Sequence, residues 1–254
     1  MFNVSRARLQ QKHRTIRYPD GPAPAMPDRF RGCPVLDPSR CPADCRACSG
    51  ACPVNAIERL TTGPRIDLGL CLFCGACAEA CPTGTLRFTD DHRLAASRRE
   101  DLRFDGRALT LAQGVQDQSR RIFGRSLKLR EVSAGGCNAC EADTNVLNTL
   151  AYDLGRFGIQ FVASPRHADG VLLTGPISRN MSLALRKTLD AVPDPRLVIA
   201  VGACAIGGGP FRGHDEVENG AESLPSCDLY VPGCPPHPLT ILDGLLRLLE
   251  RLPA

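Results

Sequence analysis

The chain has 254 residues, 43% of them hydrophobic, so it is long and apolar enough for two domains with buried cores. Its formal net charge is +4, and its mostly arginine basic residues are spread along the chain, so no nucleic-acid binding is predicted. The N-terminal stretch MFNVSRARLQQKHRTIRY lacks the apolar segment of a secretory signal, so we expect a reducing, cytoplasmic setting, in which cysteines in close repeats usually serve as metal ligands rather than disulfides.

Four segments follow one another along the chain. Residues 1–31 are basic and proline-rich, and they predict an extended N-terminal arm. Residues 32–90 are rich in cysteine and proline, and they predict a small α+β module that cannot rely on a hydrophobic core alone. Residues 91–125 are polar and arginine-rich, which indicates a linker that ends in a short amphipathic helix near residues 115–124. Residues 126–254 have a different pattern, typical of an α/β domain.

Two cysteine runs dominate the second segment. CPADCRACSGACP and CLFCGACAEACP both end in C-x3-C-P, and the second has the C-x2-C-x2-C-x3-C-P spacing typical of two-cluster bacterial ferredoxins, in which the fourth cysteine of each run ligates the other cluster. We therefore predict two [4Fe–4S] clusters. The ligands predicted for the first are Cys41, Cys45, Cys48 and Cys81. Those predicted for the second are Cys71, Cys74, Cys77 and Cys52.

The first run departs from this spacing. Three residues separate Cys41 from Cys45 where the pattern has two, so the loop between them must bulge by one residue. Structural zinc is the alternative, although zinc sites are expected to have two-plus-two rather than three-plus-one spacing. Cys33 lies outside both sets and is predicted to be a small core residue, with an exchange of roles with Cys41 left open.

From residue 126 onward, short β-branched or aliphatic runs alternate with helical periodicity, which is typical of βαβ units and a parallel sheet. The strands are predicted at 126–132, 158–163, 170–175, 196–202 and 228–233. The clearest helices are predicted at 143–157, 180–191 and 238–252. No apolar run reaches the roughly 20 residues that a membrane span requires, so any membrane association is expected through partner proteins.

Four more cysteines follow the predicted strands. Cys137 and Cys140 in EVSAGGCNACEAD follow the first strand, Cys204 lies in GACAIGGGPF, and Cys234 lies in GCPPHP. Ligands gather at the carboxyl ends of parallel strands, and the neighbouring glycines suit a backbone crowded around a cluster. These thiols are predicted to bind a third cluster, with zinc again the alternative.

The second half resembles a known family. GGCNACEAD, GRFGIQFVASPRHADGVLLTGPISRNM, PDPRLVIAVGACAIGGG and DLYVPGCPPHP resemble the small electron-transfer subunit of formate hydrogenlyase and related energy-converting (group 4) [NiFe] hydrogenases, which is homologous to the terminal-cluster subunit of complex I. RYPDGPAPAMPDRFRGCPVLDPSRC resembles the lead-in of the two-cluster ferredoxin subunits of such complexes. The fusion of the two modules is unusual, because they normally resemble separate subunits.

The resemblance implies a flavodoxin-like α/β domain whose proximal [4Fe–4S] cluster is held by Cys137, Cys140, Cys204 and Cys234, giving three [4Fe–4S] clusters in all. The family comparison associates the C-x-x-C form at Cys137 and Cys140 with hydrogenases, and adjacent cysteines with complex I. Glu141 lies beside a predicted ligand, and two interpretations stay open. It either tunes the potential of that cluster or takes part in proton movement, or it is only a carboxylate that stabilises a helix N-terminus.

The resemblance also implies partners. We expect a [NiFe] hydrogenase large subunit that holds the catalytic site, together with other subunits of a complex bound to the cytoplasmic face of the inner membrane. On this interpretation the chain is the electron-transfer subunit of an oxidoreductase and has no catalytic site of its own. The alternatives are the equivalent subunit of a complex I-like NADH/ferredoxin:quinone oxidoreductase, a soluble ferredoxin-like carrier and a structural zinc module.

Overall fold

The computed structural model describes residues 2–12, 14–114 and 126–252. The chain begins with helix α1 (Phe2–Gln11), where the sequence predicts an extended arm. The reason is local, because VSRARLQQ is rich in the good helix formers arginine, leucine, alanine and glutamine. Phe2 and Leu9 of this helix are 93% and 80% exposed. The helix predicted near residues 115–124 falls outside the described residues.

The rest of the arm is anchored on the second half of the chain. Tyr18 is buried, and its hydroxyl donates a hydrogen bond to Asp243 Oδ1 at 2.5 Å. Asp243 is fully buried and also accepts a hydrogen bond from Arg247 Nε at 2.8 Å. A buried carboxylate with both a cation and a hydroxyl partner is costly to break, so this contact fixes the arm.

The cysteine-rich module contains two small antiparallel sheets. Strands β1 (Pro34–Leu36) and β4 (Leu86–Phe88) form one sheet. The other is formed by β2 (Ile57–Leu60), β3 (Gly63–Asp67) and β5 (Arg103–Phe104). One-turn helices α2 (Ala47–Gly50) and α3 (Ala76–Glu79) each carry a cysteine of one run. The module thus has the small α+β architecture that the cysteine pattern predicts.

The second half is the parallel α/β sheet that the sequence predicts. Its strands are β6 (Leu127–Ser133), β7 (Ile159–Phe161), β8 (Gly170–Thr174), β9 (Leu197–Val201) and β10 (Leu229–Val231). All four pairings are parallel, in the order β7-β6-β8-β9-β10. This 2-1-3-4-5 order is that of flavodoxin-like folds, which bind ligands where the order switches, between the first and third strands.

Helices of this half match the prediction at 180–191, the last one ends at residue 248 rather than 252, a short helix at 203–207 is additional, and the first one differs most. They are α4 (Ala139–Val146), α5 (Arg179–Ala191), α6 (Ala203–Gly207) and α7 (Pro238–Leu248). Helix α4 begins before the predicted residue 143 and ends well before residue 157. Asn145, Asn148, Thr149 and Asp153 account for the early end, because their side chains compete for backbone hydrogen bonds, and Asp153 has a φ of 49°.

The two halves share a core rather than meeting through a free linker. Leu68 and Leu102 of the cysteine-rich half pack in the same buried cluster as Leu173 and Ile206 of the parallel sheet. In the predicted linker, the backbone of Ala96 exchanges two hydrogen bonds with Tyr230, which extends the parallel sheet at β10 by one antiparallel bridge. Among the described residues, no helix is both long and apolar enough to cross a bilayer.

Candidate iron–sulfur sites

The first set of predicted ligands lies near the surface of the cysteine-rich module. Cys41, Cys45, Cys48 and Cys81 are all half-buried. The pKa of Cys48 is raised by burial and further by the charges of Cys41, Cys81 and Cys45, so its three predicted partners are its electrostatic neighbours. The structure therefore brings this set together, even though its loop has one residue more than the usual spacing.

Polar groups surround the first set. Burial raises the pKa of Cys81, but hydrogen bonds from the backbone of Leu86 and from Thr83 outweigh it and lower the pKa to about 7. Arg59 Nη1 donates a hydrogen bond to Cys41 Sγ at 3.0 Å. Sequence reasoning missed Arg59, since nothing in the motif points to it. These contacts favour a charged thiolate, the form that binds iron.

The second set surrounds an apolar cavity. Cys52, Cys71, Cys74 and Cys77 line it together with apolar side chains that include Val54, Ile57 and Phe88. Burial raises the pKa of Cys71 to about 12, and the charges of Cys77, Cys52 and Cys74 act in the same direction. These values describe free thiols, and iron supplies the positive charge that would hold four thiolates here.

The backbone around this cavity suits a cluster. The amide of Ala56 donates to Cys52 Sγ at 3.2 Å, and the amide of Phe73 donates to Cys71 Sγ at 3.3 Å. Hydrogen bonds to sulfur are among the contacts by which proteins tune iron–sulfur clusters. Four thiols around an apolar cavity, with amides directed at two of them, fit a [4Fe–4S] cluster.

The third set lies at the carboxyl edge of the parallel sheet. Cys137 and Cys140 follow β6, Cys204 follows β9 and Cys234 follows β10. Burial raises the pKa of Cys204 to about 11, with further contributions from Cys234 and Cys137. Burial also raises the pKa of Cys140, as do the charges of Cys204, Glu141, Cys234 and Cys137. The four thiols are thus neighbours, although they come from three separate loops.

Glycine is required beside these thiols. A Cβ atom added at Gly202, whose φ is 92°, would lie 2.5 Å from Cys140 Sγ. One added at Gly209 would lie 2.8 Å from Cys204 Sγ. Any side chain at these positions would occupy the space next to the sulfurs, so the loops leave that space for a bound group. Among the described residues, no three His, Cys, Asp or Glu side chains are arranged to hold a single metal ion.

The second and third sets are adjacent. The pKa of Cys234 is raised by burial, then by the charge of Cys137 and then by that of Cys74, which belongs to the second set. A cleft lined by Leu72, Phe73 and Cys234 lies between the two halves of the chain at this point. Cys74 of the second set is therefore an electrostatic neighbour of the third set.

Glu141 is anchored beside the third set. It is 6% exposed, and Thr174 Oγ1 donates a hydrogen bond to its Oε1 at 2.7 Å. Burial raises its pKa, but hydrogen bonds from Ser133 and Thr174 outweigh this and lower it. Glu141 is therefore a charged carboxylate that links α4 to the end of β8. This contact is close to the structural role, a carboxylate near a helix N-terminus, that the sequence leaves open.

Two cysteines lie outside the three sets. Burial raises the pKa of Cys33 to about 11, with Asp91 as the next cause, and its thiol donates to Pro34 O at 3.6 Å. Burial raises the pKa of Cys227 to about 12, and its thiol lies 3.5 Å from Val198 O. Both are therefore structural thiols, as expected of cysteines that pack against a core.

Comparison with known proteins supports the family resemblance of both halves of the chain. Residues 137–248 match the family described as NADH ubiquinone oxidoreductase, 20 Kd subunit, and residues 64–87 match the 4Fe-4S binding domain. The probable membrane-bound hydrogenase subunit mbhJ of Pyrococcus furiosus is 39% identical over 132 residues, which are 52% of this chain and 79% of the relative. The chain belongs to this 20 kDa subunit family.

Other members of the family come from two kinds of complex. An NADH-quinone oxidoreductase subunit of Desulfovibrio desulfuricans is 42% identical over 45% of this chain and 62% of its own length. Formate hydrogenlyase subunit 7 of Escherichia coli is 40% identical over 50% of this chain and 51% of its own length. The chain thus spans less than two thirds of these two relatives. All three relatives are subunits of oxidoreductase complexes by name.

Proposed function

We propose that the chain is an iron–sulfur electron-transfer subunit that carries three [4Fe–4S] clusters and serves a [NiFe] hydrogenase large subunit in a membrane-bound complex. The observation that carries this proposal is the cleft where Leu72 and Phe73, next to Cys74, lie opposite Cys234, because it links the ferredoxin-type half to the half that resembles hydrogenase small subunits. The relatives named as hydrogenase and formate hydrogenlyase subunits support the choice of partner.

The ligand assignment follows from the three groups of neighbouring thiols. The first cluster is assigned to Cys41, Cys45, Cys48 and Cys81, the second to Cys52, Cys71, Cys74 and Cys77, and the third to Cys137, Cys140, Cys204 and Cys234. Each bound cluster supplies a one-electron carrier, with a potential that its surroundings set within roughly −700 to +450 mV. The protein holds the sulfurs, directs amides at two of them and surrounds the second site with apolar side chains.

A second candidate is the equivalent subunit of a quinone-reducing complex. It is favoured by the 42% identity to the NADH-quinone oxidoreductase subunit of Desulfovibrio desulfuricans. The C-x-x-C spacing of Cys137 and Cys140 favours the hydrogenase, because the family comparison associates adjacent cysteines with complex I. In both cases the chain would reach the membrane only through partner subunits, on the cytoplasmic face.

The first experiment separates the two candidates by metal content. The tagged chain is purified without oxygen from its own host, with its bound partners, and its nickel and iron are measured. The hydrogenase proposal predicts about one nickel and about twelve or more irons per chain, as three cubanes require. Iron near twelve without nickel would contradict the hydrogenase proposal and favour the quinone-reducing complex.

A substitution tests the third site directly. Cys234→Ala should remove about four irons and one paramagnetic signal while sparing the other two clusters. Cys227→Ala is the matched control, because this half-buried thiol near β10 lies outside the three sets, so the variant should keep all of its iron. Loss of all iron, or of none, in Cys234→Ala would contradict the assignment.

A further inference from the structure

The loop between Cys41 and Cys45 has one residue more than the corresponding loop of the second run, and Arg59 reaches across to it. Its Nη1 donates to Cys41 Sγ at 3.0 Å. Its Nη2 donates to the carbonyl oxygens of Pro42 and Ala43, both at 3.1 Å. One planar guanidinium therefore bonds a predicted ligand sulfur and two residues of the bulged loop, which its fork of fixed donors makes possible.

The position of Arg59 is set by the sheet rather than by the loop. Arg59 lies on β2 and pairs with Pro64 on β3, while its neighbour Glu58 pairs with Arg65. This register fixes the backbone position from which the half-buried side chain of Arg59 reaches the loop. The loop residues Pro42 and Ala43 are themselves exposed, so contacts from the sheet are needed to hold them in one conformation.

The charge of Arg59 matters as much as its geometry. Arginine stays protonated in proteins, and a charge-assisted hydrogen bond to sulfur is stronger than one from a neutral donor. Reduction adds one negative charge to a cluster, and a cation bonded to a ligand sulfur stabilises that charge. The second site differs, because the sulfurs of Cys52 and Cys71 receive hydrogen bonds from neutral backbone amides.

We infer that Arg59 is a positioning residue for the first cluster, which holds the bulged loop so that Cys41 serves as a ligand and raises the reduction potential of that cluster. This rests on the proposed function, in that the first thiol set must hold a cluster. It also assigns the ligand role to Cys41 rather than to Cys33, because Cys41 is the thiol that Arg59 contacts.

The test compares Arg59→Gln with Arg65→Gln in the complete complex. Arg65 lies on the same hairpin and pairs with Glu58, so its substitution removes the same charge without touching a sulfur. Reduction potentials are measured by redox titration followed by electron paramagnetic resonance, with iron content in parallel. The signal of the first cluster is the one that Cys45→Ala lacks.

We expect Arg59→Gln to lower the potential of the first cluster so that its reduced-to-oxidised ratio at a fixed potential falls about tenfold, equivalent to about 59 mV for one electron. The other two signals should not move, and Arg65→Gln should match the wild type. Selective loss of about four irons in Arg59→Gln alone would support the positioning role in a stronger form. Arg59→Lys, which keeps the charge, should then restore the cluster with a smaller shift.

Two outcomes overturn the inference. One is an Arg59→Gln protein with all of its iron and an unchanged first potential, and the other is an equal shift in Arg65→Gln. The proposed function fails separately, and visibly in the wild type, if the complex lacks the signal that Cys45→Ala is meant to remove.

Discussion

The first and second ferredoxin-type sites come from almost the same motif but lie in opposite surroundings. The first has half-buried thiols, a guanidinium on Cys41 and a Cys81 whose pKa falls to about 7. The second has buried Cys71 and Cys77, with only Cys74 exposed, around an apolar cavity, and burial raises the pKa of Cys71 to about 12. The motif sets the number and spacing of the ligands, whereas the surroundings decide how well the negative charge of a reduced cluster is stabilised. We therefore expect the second cluster to have the lower reduction potential.

The largest expected effect comes from removing one ligand at each site. Cys71→Ala and Cys45→Ala should each lose about four irons. Cys71 belongs to the core that joins the two halves, so losing the second cluster should also lower the free energy of unfolding by about 2–5 kcal/mol. Cys45→Ala should lower the free energy of unfolding by clearly less. Iron analysis and thermal unfolding without oxygen measure both quantities.

Cys33→Ala is the control for this pair, because its thiol lies outside the three sets and its substitution should leave the iron content unchanged. If the two ligand variants were destabilised equally, the second site would be no more part of the core than the first, and the comparison would be broken.

A smaller effect is expected from iron removal by a chelator. Two thiols of the second set, Cys71 and Cys77, are buried and become accessible only through local opening, whereas none of the first set is buried, so the first cluster should lose iron roughly tenfold faster than the second. The decay of each paramagnetic signal under excess chelator measures the two rates. Equal rates would mean that the chelator reaches both sites through the same opening of the module.

The smallest effect is expected from one hydroxyl group. Val54 lines the second cavity, and Val54→Thr keeps its shape while adding a polar group. The potential of the second cluster should rise by less than about 59 mV, that is, less than tenfold in the reduced-to-oxidised ratio. The fold should be destabilised by about 1–3 kcal/mol if the hydroxyl finds no partner. A fall in the potential of the second cluster, with iron content unchanged, would contradict the view that the apolar cavity sets this potential.

The parallel sheet could be predicted because β8 and β9 are continuous aliphatic runs, β6 and β7 are short runs with aliphatic residues, and helical periodicity separates the strands. The same pattern predicted that Cys137, Cys204 and Cys234 follow strands, and parallel strands place their carboxyl ends at one edge. The helix predicted at 143–157 was wrong because apolar periodicity outweighed the weak helix propensity of Asn145 and its neighbours.

Contacts between distant residues could not be predicted in this way. The hydrogen bonds between Ala96 and Tyr230 join a polar stretch to a strand far along the chain, and no local pattern marks either partner. Arg59 reaches Cys41 only because of the register of β2 and β3, which depends on the fold of the whole module. The motif identified the thiols, whereas their polar surroundings required coordinates.

The shared core has a consequence for assembly. In complexes where the two modules are separate proteins, the fraction of paired copies depends on their concentrations and on their dissociation constant. Here Leu68 and Ile206 pack in one core within one chain, so each ferredoxin-type half has its α/β half at a one-to-one ratio at any dilution. The fusion makes stoichiometry a property of translation rather than of binding equilibrium.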